Sequence, residues 1–377
     1  MFQQLFQRIS NFSFMCILVF ALSLVLMFGV MNLQASKIVS HDIESAALAK
    51  NIVGISSTRH IEVYLPDGYG DGKNRYPVIY YIGHHYDIAN AAFYSSAFDE
   101  AIKTGKTTPA ICVFIDVHEG TLFLNSLVTG NWEDFIVSEL VPFIDKTYQT
   151  IPDRKARGIM GHSIGGYSAF ILPVLHPDVW GAIGGNDPCT WVMWYPLIDE
   201  KDSAVPLTID FADIRRAYEN LPKDLKNYNS SIIMDLGTRF SPDVNSPILC
   251  DVPLTPEGNW VPEIRAKWSA YNLVDPNTLP KYIGTLKSFS SITIAVPEVM
   301  DLWNTASVPN IYFIDVLKAA GVNITRLDMP GDHGAFMPER FATLAEQLLI
   351  AMQGSGVMSV SSRGKLVATW GDIKSKD

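Results

Sequence analysis

The stretch Gly161-His162-Ser163-Ile164-Gly165 has the form G-x-S-x-G and separates a short apolar segment from a helix-like run. A turn this sharp between a strand and a helix strains its central residue, and small residues must flank it because side chains there would collide with the adjoining elements. The strain lifts the central hydroxyl clear of the sheet, and the helix N-terminus points N–H groups toward it. The motif makes Ser163 a candidate nucleophile, although a glycine-rich turn without chemistry fits the motif alone equally well.

Strand-like and helix-like segments alternate on both sides of this turn. Strands are predicted at 59–65, 76–82, 109–117, 155–160, 180–185, 291–296 and 323–329, and helices at 95–104, 132–148, 166–172, 309–320 and 338–352. The runs at 76–82 and 109–117 are continuously apolar, as expected for strands that are buried on both faces. This alternation predicts an α/β fold with a mostly parallel, doubly wound sheet.

The regular alternation breaks between about residues 186 and 290, where proline, tryptophan, asparagine and aspartate are frequent. We interpret this segment as a cap inserted between core strands rather than a second domain. The predicted domain covers 45–353, and residues 354–377 form a polar C-terminal tail.

The N-terminal 35 residues have the pattern of a targeting segment. Residues 14–31 are almost wholly apolar, Arg8 precedes them, and small residues follow at 35 and 36. This pattern favours a secretory signal peptide, and an uncleaved membrane anchor is the alternative. We therefore expect an exported protein, periplasmic or secreted, or one associated with a membrane through this segment.

The composition is typical of a packed catalytic or binding domain and does not favour a nucleic-acid-binding protein. Hydrophobic residues make up 48% of the chain and charged residues 18%, and the net charge is −10. Phosphate binding needs a basic surface, which an acidic chain does not favour. Cys112 lies in a strand-like run and is expected to be a buried thiol. Cys189 and Cys250 could pair in an exported protein or could both remain thiols.

A serine hydroxyl is a weak nucleophile at neutral pH and needs a general base within hydrogen-bond reach. His333 lies in a Pro-Gly-Asp-His-Gly turn after the last predicted strand, so it would reach the same sheet edge as Ser163. The imidazole in turn needs a carboxylate that orients it. We expect this acid after the preceding strand and favour Asp301 over Glu298, which gives the chain order Ser, Asp, His typical of α/β-hydrolases.

The tetrahedral intermediate of such a reaction needs N–H donors for its oxyanion. One donor would come from Ile164, directly after the nucleophile, and the second from the loop that contains His84 and His85. A metal site built from these two histidines and His118 is disfavoured, because neighbouring residues at a strand end point apart and no spaced carboxylate accompanies them. His162 is expected to serve packing.

Several ordered blocks of the chain resemble one family of α/β-hydrolases. The blocks are Tyr-Leu-Pro-Asp-Gly-Tyr at 64–69, Tyr-Pro-Val-Ile-Tyr-Tyr at 76–81, Trp-Glu-Asp-Phe at 132–135, Glu-Leu-Val-Pro-Phe-Ile-Asp at 139–145, the run 157–167 around Ser163, Leu-Lys-Ala-Ala-Gly at 317–321 and Pro-Gly-Asp-His-Gly at 330–334. From about Arg59 to Leu349 the chain resembles the putative esterase family, also called the esterase D group. That group includes S-formylglutathione hydrolases, feruloyl and enterochelin-type esterases, and mycolyltransferases.

The resemblance implies an α/β-hydrolase fold and serine carboxylester hydrolysis through an acyl-enzyme, with Ser163 as the nucleophile and His333 as the base. It implies no metal and no organic cofactor, and a small-molecule, lipid or carbohydrate ester as the substrate. Acyl transfer to an alcohol is the second hypothesis, because mycolyltransferases share the family. A non-catalytic binding protein is the third, because the order Gly83-His84 and the residue Pro297 depart from the family pattern.

Overall fold

Eight strands form one sheet at the centre of the computed structural model, in the order β1-β2-β4-β3-β7-β8-β9-β10. Their bounds are β1 Lys37–Glu44, β2 Thr58–Leu65, β3 Val78–Ile82, β4 Ile111–Ile115, β7 Arg157–His162, β8 Ala182–Asn186, β9 Ser291–Pro297 and β10 Thr325–Met329; β5 Asn125–Ser126 and β6 Gly130–Asn131 form a separate small ladder. β2 is antiparallel to β1 and β4, and every other neighbouring pair in the large sheet is parallel. The predicted α/β class and mostly parallel sheet are confirmed.

The structure describes residues 36–70, 74–84, 88–117, 121–190, 232–253, 255, 259–299, 307–354 and 356. The expected leader at 1–35 and almost all of the expected tail lie outside these residues. No helix within the described ranges is long and apolar enough to cross a membrane.

Helices cover both faces of the sheet. Their bounds are α1 Ala91–Lys103, α2 Trp132–Asp134, α3 Val141–Thr147, α4 Ile164–Leu175, α5 Ile232–Phe240, α6 Pro262–Ser269, α7 Leu279–Lys287, α8 Ser307–Ala319 and α9 Met337–Gln353. Side chains alternate along the strands, so Tyr80 joins the core on one face and Tyr81 the core on the other. α1 and α9 cover the Tyr81 face, where Phe341 lies edge-on to Tyr81 at a ring-centroid distance of 5.2 Å. α4 and α8 lie on the opposite face.

Two predicted boundaries differ from the structure. The sheet begins before residue 45, because β1 pairs with β2 from Lys37 to Glu44. The single helix predicted over 132–148 is divided, since a π-helical segment at Phe135–Leu140 separates α2 from α3. Pro142 lies at the start of α3 and has no N–H to donate, so the regular α-helical ladder is interrupted there.

The expected insertion lies between β8 and β9, as predicted from the loss of regular pattern. Its residues 191–231 are outside the described ranges, and its described part folds into α5, α6 and α7. Apolar side chains of these helices join the core that packs against α4 and β9. The insertion follows the carboxyl end of β8, so it begins at the sheet edge that carries Ser163.

Candidate active site

Ser163 occupies the turn between β7 and α4 with φ 56° and ψ −122°, a conformation that is strained for a residue other than glycine. Glycine is required on either side because the backbone is crowded. A Cβ at Gly165 would lie 2.0 Å from the carbonyl oxygen of Gly83, and one at Gly161 would lie 2.3 Å from that of Gly165. The strand-turn-helix unit predicted from the motif is therefore present.

Hydrogen bonds tie this turn to the end of β8. The Ser163 N–H donates to the Asn186 carbonyl oxygen at 3.1 Å, and the Cys189 N–H donates to the Ser163 carbonyl oxygen at 2.8 Å. The Ser163 Oγ lies 3.4 Å from the Cys189 Sγ. The segment after β8 thus lies directly beside the candidate nucleophile.

His333 follows β10 and contacts a carboxylate from this same segment. Its Nδ1 lies 2.6 Å from Oδ2 of Asp187, the first residue after β8. The Asp187 side chain has no exposed surface and that of His333 is 18% exposed. Because a carboxylate can only accept, Nδ1 carries the proton and Nε2 is left as the basic nitrogen. His333 is thereby held in the tautomer that can take a proton from a serine hydroxyl.

Among the described residues, no carboxylate from the segment directly after β9 contacts His333. Asp301 lies outside the described residues, and Glu298, the alternative, is exposed at the end of β9. The carboxylate on His333 is instead Asp187, which the sequence analysis did not single out. The carboxyl ends of parallel strands share one sheet edge, and β8 lies next to β7, so its end is one strand nearer to Ser163 than the end of β9. The signal in the sequence was an Asn-Asp-Pro turn directly after an apolar strand.

Two further polar side chains surround Asp187, and both are fully buried. Asn310 in α8 donates from Nδ2 to Asp187 Oδ1 at 2.8 Å, and its own Oδ1 accepts from the Thr190 hydroxyl at 2.6 Å. Asp187 therefore has a partner on each carboxylate oxygen. Asn310 and Thr190 escaped the sequence analysis because neither belongs to a motif.

Arg340 in α9 holds the loop that presents His333. Its guanidinium donates to the carbonyl oxygens of Pro330 and His333, on either side of the turn. Burial lowers the pKa of Arg340, and the negative charges of Asp187 and Asp332 oppose that shift. Arg340 thus contributes a buried positive charge to a region that contains two carboxylates.

His162 lies beneath the site and serves packing, in agreement with expectation. Its ring is 4.4 Å from that of His333 between centroids, and its Nδ1 donates to the Asn186 carbonyl oxygen at 3.0 Å. Burial, with a smaller contribution from His333, holds the pKa of His162 well below its ordinary value. His162 is therefore neutral near pH 7 and adds no second positive charge beside His333.

Ile164 is the first residue of α4, so its N–H lies in the first helical turn, where the backbone has no intrahelical acceptor. This is the position expected for an oxyanion donor. His84 is exposed just beyond β3, with its ring 6.1 Å from that of His162 between centroids, whereas His85 lies outside the described residues. The second oxyanion donor stays a prediction.

The cysteines in the described part of the chain, Cys112, Cys189 and Cys250, are thiols. No disulfide joins Cys189 to Cys250, and burial raises the pKa of the Cys250 thiol to about 12. Cys112 is fully buried in β4, and burial raises the pKa of its thiol well above the ordinary value, as expected of an inert core residue. Among the described residues no cluster of three His, Cys, Asp or Glu side chains could hold a metal ion.

Comparisons with known proteins find similarity to esterases. The family model described as "Putative esterase" matches residues 53–221. An endo-1,4-beta-xylanase/feruloyl esterase of Xylanibacter ruminicola is 30% identical over 141 residues, which cover 33% of this chain and 19% of that protein. The matched segment is thus about a fifth of the relative's length.

Solved structures share the fold. A ferulic acid esterase superposes with a TM-score of 0.55 at 17% identity, covering 85% of this chain and 98% of the other. FphF, a fluorophosphonate-binding serine hydrolase of Staphylococcus aureus, superposes with a TM-score of 0.52 at 14% identity, covering 86% of this chain and all of the other. The family-model match thus covers a segment that contains the turn at Ser163 and Asp187, and the solved structures share the α/β-hydrolase fold of this chain.

Proposed function

We propose that this protein is a serine carboxylester hydrolase with Ser163 as nucleophile, His333 as general base and Asp187 as the acid that orients the base. The observation that carries the proposal is the 2.6 Å contact between His333 Nδ1 and Asp187 Oδ2 at the sheet edge that bears the strained Ser163 turn. The family match and the names of the relatives support the carboxylester class.

The first half of the proposed reaction acylates the enzyme. The Ser163 Oγ attacks the ester carbonyl carbon while His333 Nε2 takes the hydroxyl proton. The oxyanion is held by the Ile164 N–H and by a donor from the loop at 84–86. The tetrahedral intermediate then expels the alcohol, which receives the proton from His333, and the acyl group remains on Ser163. Asp187 stabilises the imidazolium without becoming protonated.

The second half returns the enzyme to its starting state. Water gives a proton to His333 Nε2 and attacks the acyl carbon, and collapse of the second intermediate releases the carboxylic acid and returns the proton to Ser163. These steps use only groups of the protein, so the mechanism requires no metal or organic cofactor.

Apolar side chains near His333 favour an ester with an apolar group. Val299 and Phe336 are 53% exposed on the two segments that flank the histidine turn, and the Val299 N–H donates to the Gly331 carbonyl oxygen at 3.1 Å. The substrate class stays as expected from the sequence, a small-molecule, lipid or carbohydrate ester. Export through residues 1–35 is likewise proposed and is tested by sequencing the N-terminus of the cell-derived protein.

Labelling of the full chain with a fluorophosphonate probe tests the proposal. We expect the parent protein to be labelled and to hydrolyse p-nitrophenyl acetate, and Ser163→Ala to do neither. Ser168→Ala is the matched control, because Ser168 is buried in α4, the helix that follows Ser163, and donates to the Ile164 carbonyl oxygen at 3.3 Å.

Labelling that survives Ser163→Ala would assign the nucleophile elsewhere. A folded parent protein that neither reacts with the probe nor hydrolyses esters would favour the non-catalytic alternative. Added alcohol acceptors distinguish transfer from hydrolysis, since a transferase forms the new ester faster than the free acid.

A further inference from the structure

The carboxylate of Asp187 contacts a side chain that is distant along the sequence from the segment after β8. Asn310 is 123 positions away along the chain, yet its Nδ2 lies 2.8 Å from Asp187 Oδ1. The Thr190 hydroxyl, three residues after Asp187, lies 2.6 Å from the Asn310 Oδ1. All three side chains have no exposed surface.

The order of donors and acceptors in this chain follows from chemistry. An ionised carboxylate only accepts, so the Asn310 amide must turn its NH₂ group toward Asp187. The amide oxygen then faces Thr190, whose hydroxyl donates to it. If the amide were reversed, its oxygen would face the carboxylate and both would be acceptors. The carboxylate therefore sets the amide orientation, and the Thr190 hydroxyl, by donating to the amide oxygen, holds the amide in that position.

We propose that Asn310 and Thr190 are positioning residues of the active site, which fix the rotation of the Asp187 carboxylate and hence the orientation of His333. This inference rests on the proposed function. Neither side chain touches the reacting atoms, so both act through Asp187.

Loss of this support should affect the chemical step more than binding. Without the amide, Asp187 Oδ1 is buried with no replacement donor, and the carboxylate can rotate away from His333 Nδ1 or bind water. The imidazole then loses its fixed direction, although the substrate surface is unchanged. His162, Arg340 and Asp332 are further charged or titratable groups near His333, and within the described part of the chain Asn310 hydrogen-bonds to Asp187 and Thr190 rather than to these groups.

Thr190→Val and Thr190→Ser, made in the full chain, form the sharpest test. Valine keeps the size of threonine and removes the hydroxyl, whereas serine keeps the hydroxyl. We expect Thr190→Val to lower kcat for p-nitrophenyl acetate about 10-fold with KM unchanged, and Thr190→Ser to keep kcat within about 3-fold of the parent. Asn310→Ala should lower kcat about 10- to 100-fold, because a hydrogen bond to a charged group is lost.

Thr238→Val is the matched control, since Thr238 is also a fully buried threonine, which donates to the Asp235 carbonyl oxygen and accepts from Arg239, each at 3.0 Å. It should cost at least as much thermal stability as Thr190→Val and leave kcat unchanged. The inference is overturned if Thr190→Val and Asn310→Ala keep the parent kcat, or if serine fails to restore what valine removes. Ser163→Ala, measured in parallel, tests the proposed function separately.

Discussion

At the residue scale, the proposed roles depend on which atom of His333 carries the proton. In Asp187→Asn the new amide would keep its oxygen toward the Asn310 NH₂ group and turn its own NH₂ toward His333 Nδ1. His333 would then carry its proton on Nε2 and could no longer accept one from Ser163. We expect kcat to fall about 10⁴-fold, with the fold intact. Steady-state hydrolysis of p-nitrophenyl acetate measures the change.

A second His–Asp pair in the same chain provides the control. His60 Nδ1 lies 2.7 Å from Asp42 Oδ1 across the β1–β2 edge, but these side chains are 41% and 70% exposed. Asp42→Asn makes the same chemical change far from Ser163 and should leave kcat within about 2-fold. If Asp187→Asn were as active as Asp42→Asn, Asp187 would not be the orienting acid.

Ser163 and His333 could be singled out in the sequence because each lies in a short motif with a characteristic local geometry. Asp187 could not, because several strand ends meet at one edge of the sheet and only the tertiary structure shows which one faces the histidine. Asn310 was even harder to predict from the sequence, since its partner Asp187 is 123 positions away. Chain order alone favoured an orienting acid just after β9, where the side chain of Glu298 is exposed.

At the scale of elements, the buried strands were predictable, whereas the edge strand β1 was not. β3 and β4 are buried throughout and appear in the sequence as continuous apolar runs. β1 has no buried residue and mixes charged with apolar side chains, so its sequence lacks the continuous apolar run that indicates a buried strand. Its place is decided by pairing with β2, which is a contact that hydrophobic pattern does not encode.

The close approach of α4 to β3 gives a prediction for single glycines. Gly165→Ala would put a Cβ 2.0 Å from the Gly83 carbonyl oxygen and 2.4 Å from that of Ile82, so backbone must move. We expect a loss of about 3 kcal/mol in the free energy of unfolding, together with loss of activity. The midpoint of urea denaturation measures the stability change.

Gly284→Ala is the opposite case within a helix. Gly284 lies in α7 with nothing within 4 Å of the added Cβ, so alanine should stabilise the protein by up to about 1 kcal/mol through helix propensity. Equal effects of the two substitutions would contradict the argument that crowding, rather than helix position, requires Gly165.

At the scale of the whole molecule, the described part of the insertion shares its core with the sheet. Trp268 in α6 is 1% exposed and its ring lies 5.4 Å from that of Phe240 in α5 between centroids. Phe240 in turn lies 6.4 Å from Tyr167 in α4, the helix that begins after Ser163. Aromatic contacts therefore link the insertion to the helix whose first residue is the proposed oxyanion donor.

This continuity predicts that α5–α7 unfold together with the sheet and not as an independent lid. Trp268→Ala removes a large buried side chain and the hydrogen bond of 2.8 Å from its Nε1 to the Ser241 Oγ, so we expect a loss of about 3–5 kcal/mol. Hydrolytic activity and far-ultraviolet circular dichroism should then fall at the same urea concentration, lower than in the parent. Trp260→Ala is the milder control, because Trp260 is only partly buried and stacks under Arg265 at 4.3 Å. Activity lost well before the circular dichroism would instead show that the insertion opens while the sheet remains folded.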